Sequence, residues 1–202
     1  SINGQATGRS IELPEAIFGI EPNEHVIYLA VKQYLAGRRS GTHKTLEKSE
    51  LSGSTRKLHK QKGTGGSRKG SIKNPLFKGG ARIFGPRPRF YDFKLNKKVK
   101  SLAKNSALST KIVGNSIKIV EDFSFENPKT KEYLKLLQAF GLENKKSLLI
   151  LPDLNDNIYL SGRNIQGVSI AVADSLNTYE IMNNNVILIS EKSVQAIANS
   201  QN

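Results

Sequence analysis

The chain contains no cysteine and no tryptophan, one methionine and only three histidines in 202 residues. Without cysteine it has no disulfide, no thiolate nucleophile and no thiolate-rich zinc site. His25, His43 and His59 are too few and too scattered to build a metal centre unless several carboxylates joined them. Long apolar runs are also missing: none approaches the roughly 18 residues of a membrane-spanning helix. The opening SINGQATGRS lacks the apolar stretch of a secretory signal. These absences lead us to expect a soluble intracellular protein with no metal, no cofactor and no membrane contact. Because the chain opens on Ser1, some native residues are expected ahead of it. Acids are scarce as well, 17 Asp and Glu against 31 Lys and Arg, for a formal net charge of +14.

That charge is concentrated. Residues 38–111 hold 21 Lys or Arg and only Glu47, Glu50 and Asp92, a net of +18, so the remainder is net −4. A division this sharp lets one part be an ordinary domain while the other meets a polyanion. Nucleic acid is the default partner. A membrane surface would call for an amphipathic basic helix or a lipid anchor, and the segment has neither signal.

Residues 53–96 hold eight of the 17 glycines, are dense in Lys and Arg, and show neither helical nor strand periodicity. Loops longer than about 12 to 15 residues without structure of their own are usually functional or disordered. Glycines interleaved with cations suit a backbone that must approach a folded polyanion and bend tightly beside it. Phe77 and Phe84 lie deep in this stretch, where an aromatic ring stacks on an unpaired base or meets a partner protein. Phe90, Tyr91 and Phe93, near its end, are expected to pack on the body. Pro86 and Pro88 stiffen the backbone around Arg87 and Arg89.

Around that loop the chain reads as α/β. Arg9 to Leu13 reads as a short β-prone piece, and Pro14 after it opens a helical turn. Asn23 caps a helix ending near Gly37, with Ile27, Val31, Tyr34 and Leu35 at helical spacing. Asn96 caps a second helix with Val99, Leu102, Ala103 and Ala107 inward and Lys97, Lys98, Lys100 and Lys104 outward, ended by Gly114. Short apolar runs at 117–120, 148–151, 168–172 and 186–189 then alternate with helical segments, the pattern of buried parallel strands. The clearest of those segments has Asn127 as N-cap, Pro128 at its first position, Tyr133, Leu136, Leu137 and Phe140 on one face, and Gly141 as C-cap. The expected architecture is a three-layer body with a mostly parallel four-stranded sheet flanked by helices. Residues 1–52 and 97–202 form this body, and 53–96 form an extended basic loop inserted in it.

Chemistry-bearing motifs are thin. Gly65 and Gly70 have the separation of a Walker loop, but Ser71 stands where its lysine belongs and no helix follows. Glu121, Asp122, Asp153, Asp156 and Asp174 sit at the ends of predicted strands, where helix caps and first-turn acids also belong. Nothing pairs a nucleophile with a base, so no enzyme activity is expected.

The run GRRSGTHKTLEKSELSGSTRKLHKQKGTGGSRKGSIKNPLFKGGARIFGPRPRFYDFKLNKKVK resembles the universal large-subunit ribosomal protein numbered four, in its bacterial form. The likeness continues through ELPEAIFGIEPNEHVI, NPKTKEYLKLL, DNIYLSGRNIQGV and NVILIS. It implies a non-enzymatic, cytoplasmic constituent of the large ribosomal subunit that binds 23S-type rRNA. It further implies a loop tip lining the nascent-peptide exit tunnel near its constriction, opposite the neighbouring protein numbered twenty-two and transiently against the nascent peptide.

By the same resemblance, Gln61, Lys62, Gly63, Thr64, Gly65 and Gly66 form the tip. The rRNA-binding set is Arg38, Arg39, Thr42, Lys44, Arg56, Lys57, Lys60, Arg68, Lys69, Ser71, Lys73, Lys78, Arg82, Arg87, Arg89, Lys97 and Lys98, with Phe77 and Phe84 as aromatic contacts. Two places depart from the usual pattern: His59-Lys60 replaces a Trp-Arg or Trp-Lys pair, and Gly66-Ser67-Arg68 replaces Arg-Ala-Arg. Two rival classes are a nucleotide-binding or RNA-modifying enzyme using the sheet as a platform, and a general nucleic-acid chaperone. The first lacks a glycine-rich turn after the first strand, where Val120 leads into Glu121-Asp122-Phe123.

Overall fold

A computed structural model describes residues 1, 4, 5 and 7–199. Their contacts divide into two units, Ser1–Leu35 with Lys94–Asn202, and Ala36–Phe93.

The first unit is a parallel α/β sandwich. Its helices are α1 (Glu15–Phe18), α2 (Glu24–Gly37), α3 (Lys97–Val113), α4 (Thr130–Ala139), α5 (Asp156–Gly162), α6 (Thr178–Asn183) and α7 (Glu191–Asn199). Its strands are β1 (Ile117–Val120), β2 (Ser147–Leu151), β3 (Val168–Val172) and β4 (Val186–Ser190), in the order β1-β4-β2-β3 and all parallel. Parallel neighbours need crossovers, and helices supply them. The register sets Ile119 beside Ile189, Leu149 beside Leu188 and Leu149 beside Ile170.

Two apolar layers follow from the pleat. Leu148, Ile150, Ile187 and Ile189 point to one face, where α1, α2, α3, α6 and α7 cover them with Phe18, Ile27, Leu108, Ile181 and Ile197. Leu149, Leu151 and Leu188 point to the other, against Tyr133, Leu136 and Leu137 of α4 and Ile158 of α5. Successive strand residues thus serve opposite layers, which is why β2 reads as an unbroken apolar run and is buried throughout.

Asparagine side chains start three helices, Asn23 as expected and Asn155 and Asn177 where the sequence reading named no cap. Asn96, by contrast, makes no side-chain hydrogen bond at the start of α3, and Lys129 rather than Asn127 takes the cap position of α4. Asn23 Oδ1 accepts the Val26 amide at 3.1 Å, Asn155 Oδ1 accepts Ile158 N at 3.2 Å, and Asn177 Oδ1 accepts Glu180 N at 2.8 Å. Three further details differ from the sequence reading. Residues 9–13 form no strand. Helix α4 begins at Thr130 rather than at Pro128 because Lys129 is extended (φ −129°, ψ 120°), while Asn157 Nδ2 holds the Phe125 carbonyl at 2.8 Å. Leu102 is 39% exposed, and the buried side of α3 runs instead through Ala103, Ser106, Ala107 and Leu108.

Candidate nucleic-acid interface

Between Arg38 and Asn96 there is neither helix nor strand. Glycine and proline break periodicity there, and the backbone is organised by a few long-range ties. Arg89 N donates to the Gly41 carbonyl at 3.2 Å, Thr45 N to Pro86 at 3.1 Å, and Arg82 N to Leu46 at 3.2 Å. Further out, Ala81 N reaches the Lys73 carbonyl at 3.1 Å and Leu58 N the Gly70 carbonyl at 2.9 Å. The outgoing and returning limbs are therefore tied at their base and again beneath residues 59–69. Gly41 makes the base possible: at φ +61° it sits so close to the opposite limb that a Cβ would lie 2.0 Å from the Arg89 carbonyl oxygen.

Tyr91 locks the same place. The guanidinium groups of Arg39 and Arg89 lie 3.8 and 4.6 Å from the centre of its ring, and its hydroxyl meets His43 Nε2 at 3.1 Å. Tyr91 thus finds its partners within residues 36–93. Phe90, expected to pack, is 95% exposed instead.

Two of the three acids in this unit are internal ties. Glu47 pairs with Arg87 of the opposite limb, and Glu50 with Lys44. The Lys44 hydrogen bond, followed by one from the Glu47 amide, holds the Glu50 carboxyl below the usual carboxylate range. Lys44, Arg87, Arg39 and Arg89 from the sequence-derived set accordingly help to shape the unit.

Every residue from Ser52 to Gly70 is exposed, including Arg56, Lys57, Lys60, Arg68, Lys69 and the whole tip, Gln61 to Gly66. Gly63 turns at φ +80° with open space around it, so its need for glycine is conformational rather than steric. Arg38, Thr42, Lys78, Arg82 and Phe84 are exposed too, Phe84 at 99%. Lys73 and Phe77 are half-buried, and Ser71 is buried at 7%, its carbonyl accepting Asn74 N at 3.1 Å. The position of Ser71 is that of a residue supporting a turn.

Lys97 and Lys98 belong to the other unit. They open α3, whose first turn carries no acid and whose cap residue Asn96 makes no side-chain hydrogen bond. Cations at a helix N-terminus oppose its dipole, by about 0.3–1 kcal/mol each at exposed sites. Further along, Lys104 is half-buried. Burial pushes its ammonium below the ordinary lysine range, and Asp174 opposes that shift. These lysines and Lys100 line a groove of about 1060 Å³ together with Tyr34 of α2 and Tyr179 of α6. The sequence reading missed Lys104 and the tyrosines as a cluster. Only the helical spacing of Lys97, Lys100 and Lys104 hinted at it, since the tyrosines come from elements far apart in the chain.

No group of His, Asp and Glu among the described residues is arranged to hold a metal, and no described helix is long and apolar enough to cross a membrane. Two of the acids at the strand ends have structural partners: Glu121 pairs with Arg9, and Asp122 accepts the Lys192 amide in the first turn of α7 at 3.3 Å.

Residues 11–200 match the family described as the Ribosomal protein L4/L1 family. The large ribosomal subunit protein uL4 of Phocaeicola vulgatus is 55% identical over 199 residues, covering 98% of this chain and 96% of that protein. Its counterpart in Flavobacterium psychrophilum is 55% identical over 197 residues, covering 98% and 94%. That of Porphyromonas gingivalis is 52% identical over 197 residues, with the same coverage of 98% and 94%. A four-stranded parallel α/β unit, a glycine-rich basic unit and similarity along almost the whole length place this chain in the ribosomal protein L4/L1 family.

Proposed function

We propose that the chain is a non-enzymatic constituent of the bacterial large ribosomal subunit. In this reading it binds 23S-type rRNA through residues 53–96 and their flanks, and lines the peptide exit tunnel with Gln61 to Gly66. The observation that carries the proposal is the stretch from Ser52 to Gly70: all of it is exposed, and it holds six cations and no acid. An isolated protein gains nothing from 19 exposed residues with uncompensated charge. A phosphate-rich partner neutralises them and releases counterions. Lys and Arg then supply position on the RNA backbone, and glycines allow close approach at the tip. Phe84 offers a face to an unpaired base. The partners are 23S-type rRNA, the protein numbered twenty-two across the constriction and, in passing, the nascent peptide.

The test is a cryo-electron-microscopy map of large subunits from the source cells. Density for Gln61 to Gly66 at the tunnel constriction is the expected result. Absence of the chain from salt-washed subunits would overturn the proposal in favour of a general nucleic-acid chaperone.

A further inference from the structure

Strand β3 stands at one end of the sheet order, so its outer side pairs with no other strand among the described residues. Its sequence, VSIAV, has no charge and no proline, whereas the opposite edge strand, β1, carries Lys118 within it. Open edges are usually blunted by lysine, proline or a bulge, because an unpaired ladder recruits another strand. The hydrogen bonds around β3 identify the groups left over. The Gly167 carbonyl accepts Ser147 N and Ala173 N donates to the Leu151 carbonyl, both at 2.9 Å. Odd-numbered residues therefore turn their backbone groups to β2, and even-numbered ones turn theirs outward. Turns at the two ends use part of the outward set: Val168 N donates to the Ile165 carbonyl at 3.3 Å, and the Val172 carbonyl accepts Ser175 N at 3.1 Å. Among the described residues the Val168 carbonyl, the Ile170 amide and carbonyl and the Val172 amide keep no backbone partner. The side chains of Val168, Ile170 and Val172 are half-buried along the same edge.

We propose that β3 is an interface between two copies of this chain, pairing antiparallel with itself about Ile170 and joining the two four-stranded sheets into one. In that register the Ile170 amide and carbonyl exchange hydrogen bonds with those of Ile170 in the second copy. Each Val172 amide donates to the Val168 carbonyl across the axis. All the outward groups left free in each copy are then satisfied, and the turns at both ends of β3 stay intact. Charge agrees with this direction. Exposed Asp174 falls opposite Gln166 of the second copy, at the end that carries exposed Arg163 and Lys146. Lys146 adjoins that end closely, its Cα 3.8 Å from where a Cβ on Gly167 would lie. The two-fold axis repeats each meeting of opposite charges. An in-register parallel pair would instead set Asp174 beside Asp174 and Lys146 beside Lys146. The inference concerns the free chain and does not rest on the ribosomal reading.

The experiment is sedimentation equilibrium of the RNA-free full chain, from micromolar to millimolar concentration at physiological ionic strength, where repulsion between the positively charged copies is screened beyond about 8 Å. A monomer–dimer equilibrium is expected. Over the same range the Ile170 and Val172 amides should pass from fast to slow hydrogen exchange by NMR, while Ser169 and Ala171, held by β2, stay slow throughout. Val172→Pro removes one outward donor per copy and no bond to β2. Two lost hydrogen bonds of ordinary net strength should weaken dimerisation by roughly 5- to 150-fold. Asp174→Lys alters an exposed side chain outside the strand, so folding is kept whatever becomes of the proline variant. It should weaken the dimer by roughly 2- to 30-fold, one exposed ion pair lost on each side of the axis, and Lys146→Glu in the same chain should restore it. A single mass at every concentration would overturn the proposal and leave the edge to an extended segment of a different protein. So would a dimer whose Ile170 amide stays fast, or one indifferent to both Val172→Pro and Asp174→Lys.

Discussion

Changing Lys57, Lys60, Lys62, Arg68 and Lys69 together to glutamine removes five of the six cations between Ser52 and Gly70. All five are exposed and none forms an ion pair among the described residues, so the thermal midpoint of the protein should not move. RNA binding should move greatly. Each phosphate contact contributes about 0.9 to the salt slope on a duplex and about 0.7 on a single strand, so five lost contacts flatten the slope by about 3.5–4.5. Raising salt fourfold, from about 50 to 200 mM, would cost a parent with 6–10 contacts about 10³ to 10⁵ in affinity. The variant should lose about 130- to 500-fold less over the same range. Fluorescence anisotropy on a labelled 23S-type rRNA fragment at three salt concentrations reads the slope directly. A variant whose slope matches its parent would refute the claim that these side chains meet phosphates, whatever its absolute affinity.

Two further expectations concern the layer beneath α4 and α5. The Tyr133 side chain is fully buried and its hydroxyl has no hydrogen-bond partner, so Tyr133→Phe should stabilise the protein by about 1–3 kcal/mol, seen as a higher urea midpoint. Burial also pushes the Tyr133 phenol up, which makes the folded state hold that proton to higher pH than the unfolded state does. Stability is thus retained below the unfolded value of about 10 and falls above it by about 1.4 kcal/mol per pH unit. The advantage of the Phe variant should accordingly be larger at pH 11 than at pH 8, and an equal advantage at both would sink the assignment. At Gly162 a Cβ would lie 2.6 Å from Ile170 Cδ1 and 3.1 Å from the Tyr133 ring, so Gly162→Ala overpacks this layer. It should cost about 1–3 kcal/mol, at about 2–4 °C of melting temperature per kcal/mol. A melting curve superposable on the parent's would show that the layer yields.

The strands and their parallel arrangement were legible because the runs at 117–120 and 168–172 are short, apolar and separated by stretches with helical spacing. Those signals are local. The late start of α4 depends on Asn157, about thirty residues away, reaching the Phe125 and Glu126 carbonyls, and no window of sequence around Pro128 contains that information. Helix α7 has only nine residues and a narrow apolar stripe of Val194 and Ile197, too little for a reading that names no helix after β4. In the basic unit, composition revealed the charge and the glycines, but the pairing of 41–46 with 82–89 carries no alternation to read. It consists of single backbone bonds between residues some forty positions apart. The groove beside α3 was half visible for the same reason: its lysines share one helix, whereas Tyr34 and Tyr179 meet only after folding.

The clasp of Arg39 and Arg89 around Tyr91 has an evolutionary consequence. With both ends of the unit fixed on one ring, residues between Leu46 and Arg82 are free to be added or removed without moving the point of attachment. Loop-closure entropy hardly opposes such change, since doubling the length of a flexible loop costs only about 0.6 kcal/mol. The length of this stretch is then a quantity that selection tunes by insertion or deletion alone, leaving the rest of the sequence under separate constraints. Variation in the length of this stretch among relatives, with the Arg-Tyr-Arg clasp held constant, is the pattern such independence would leave.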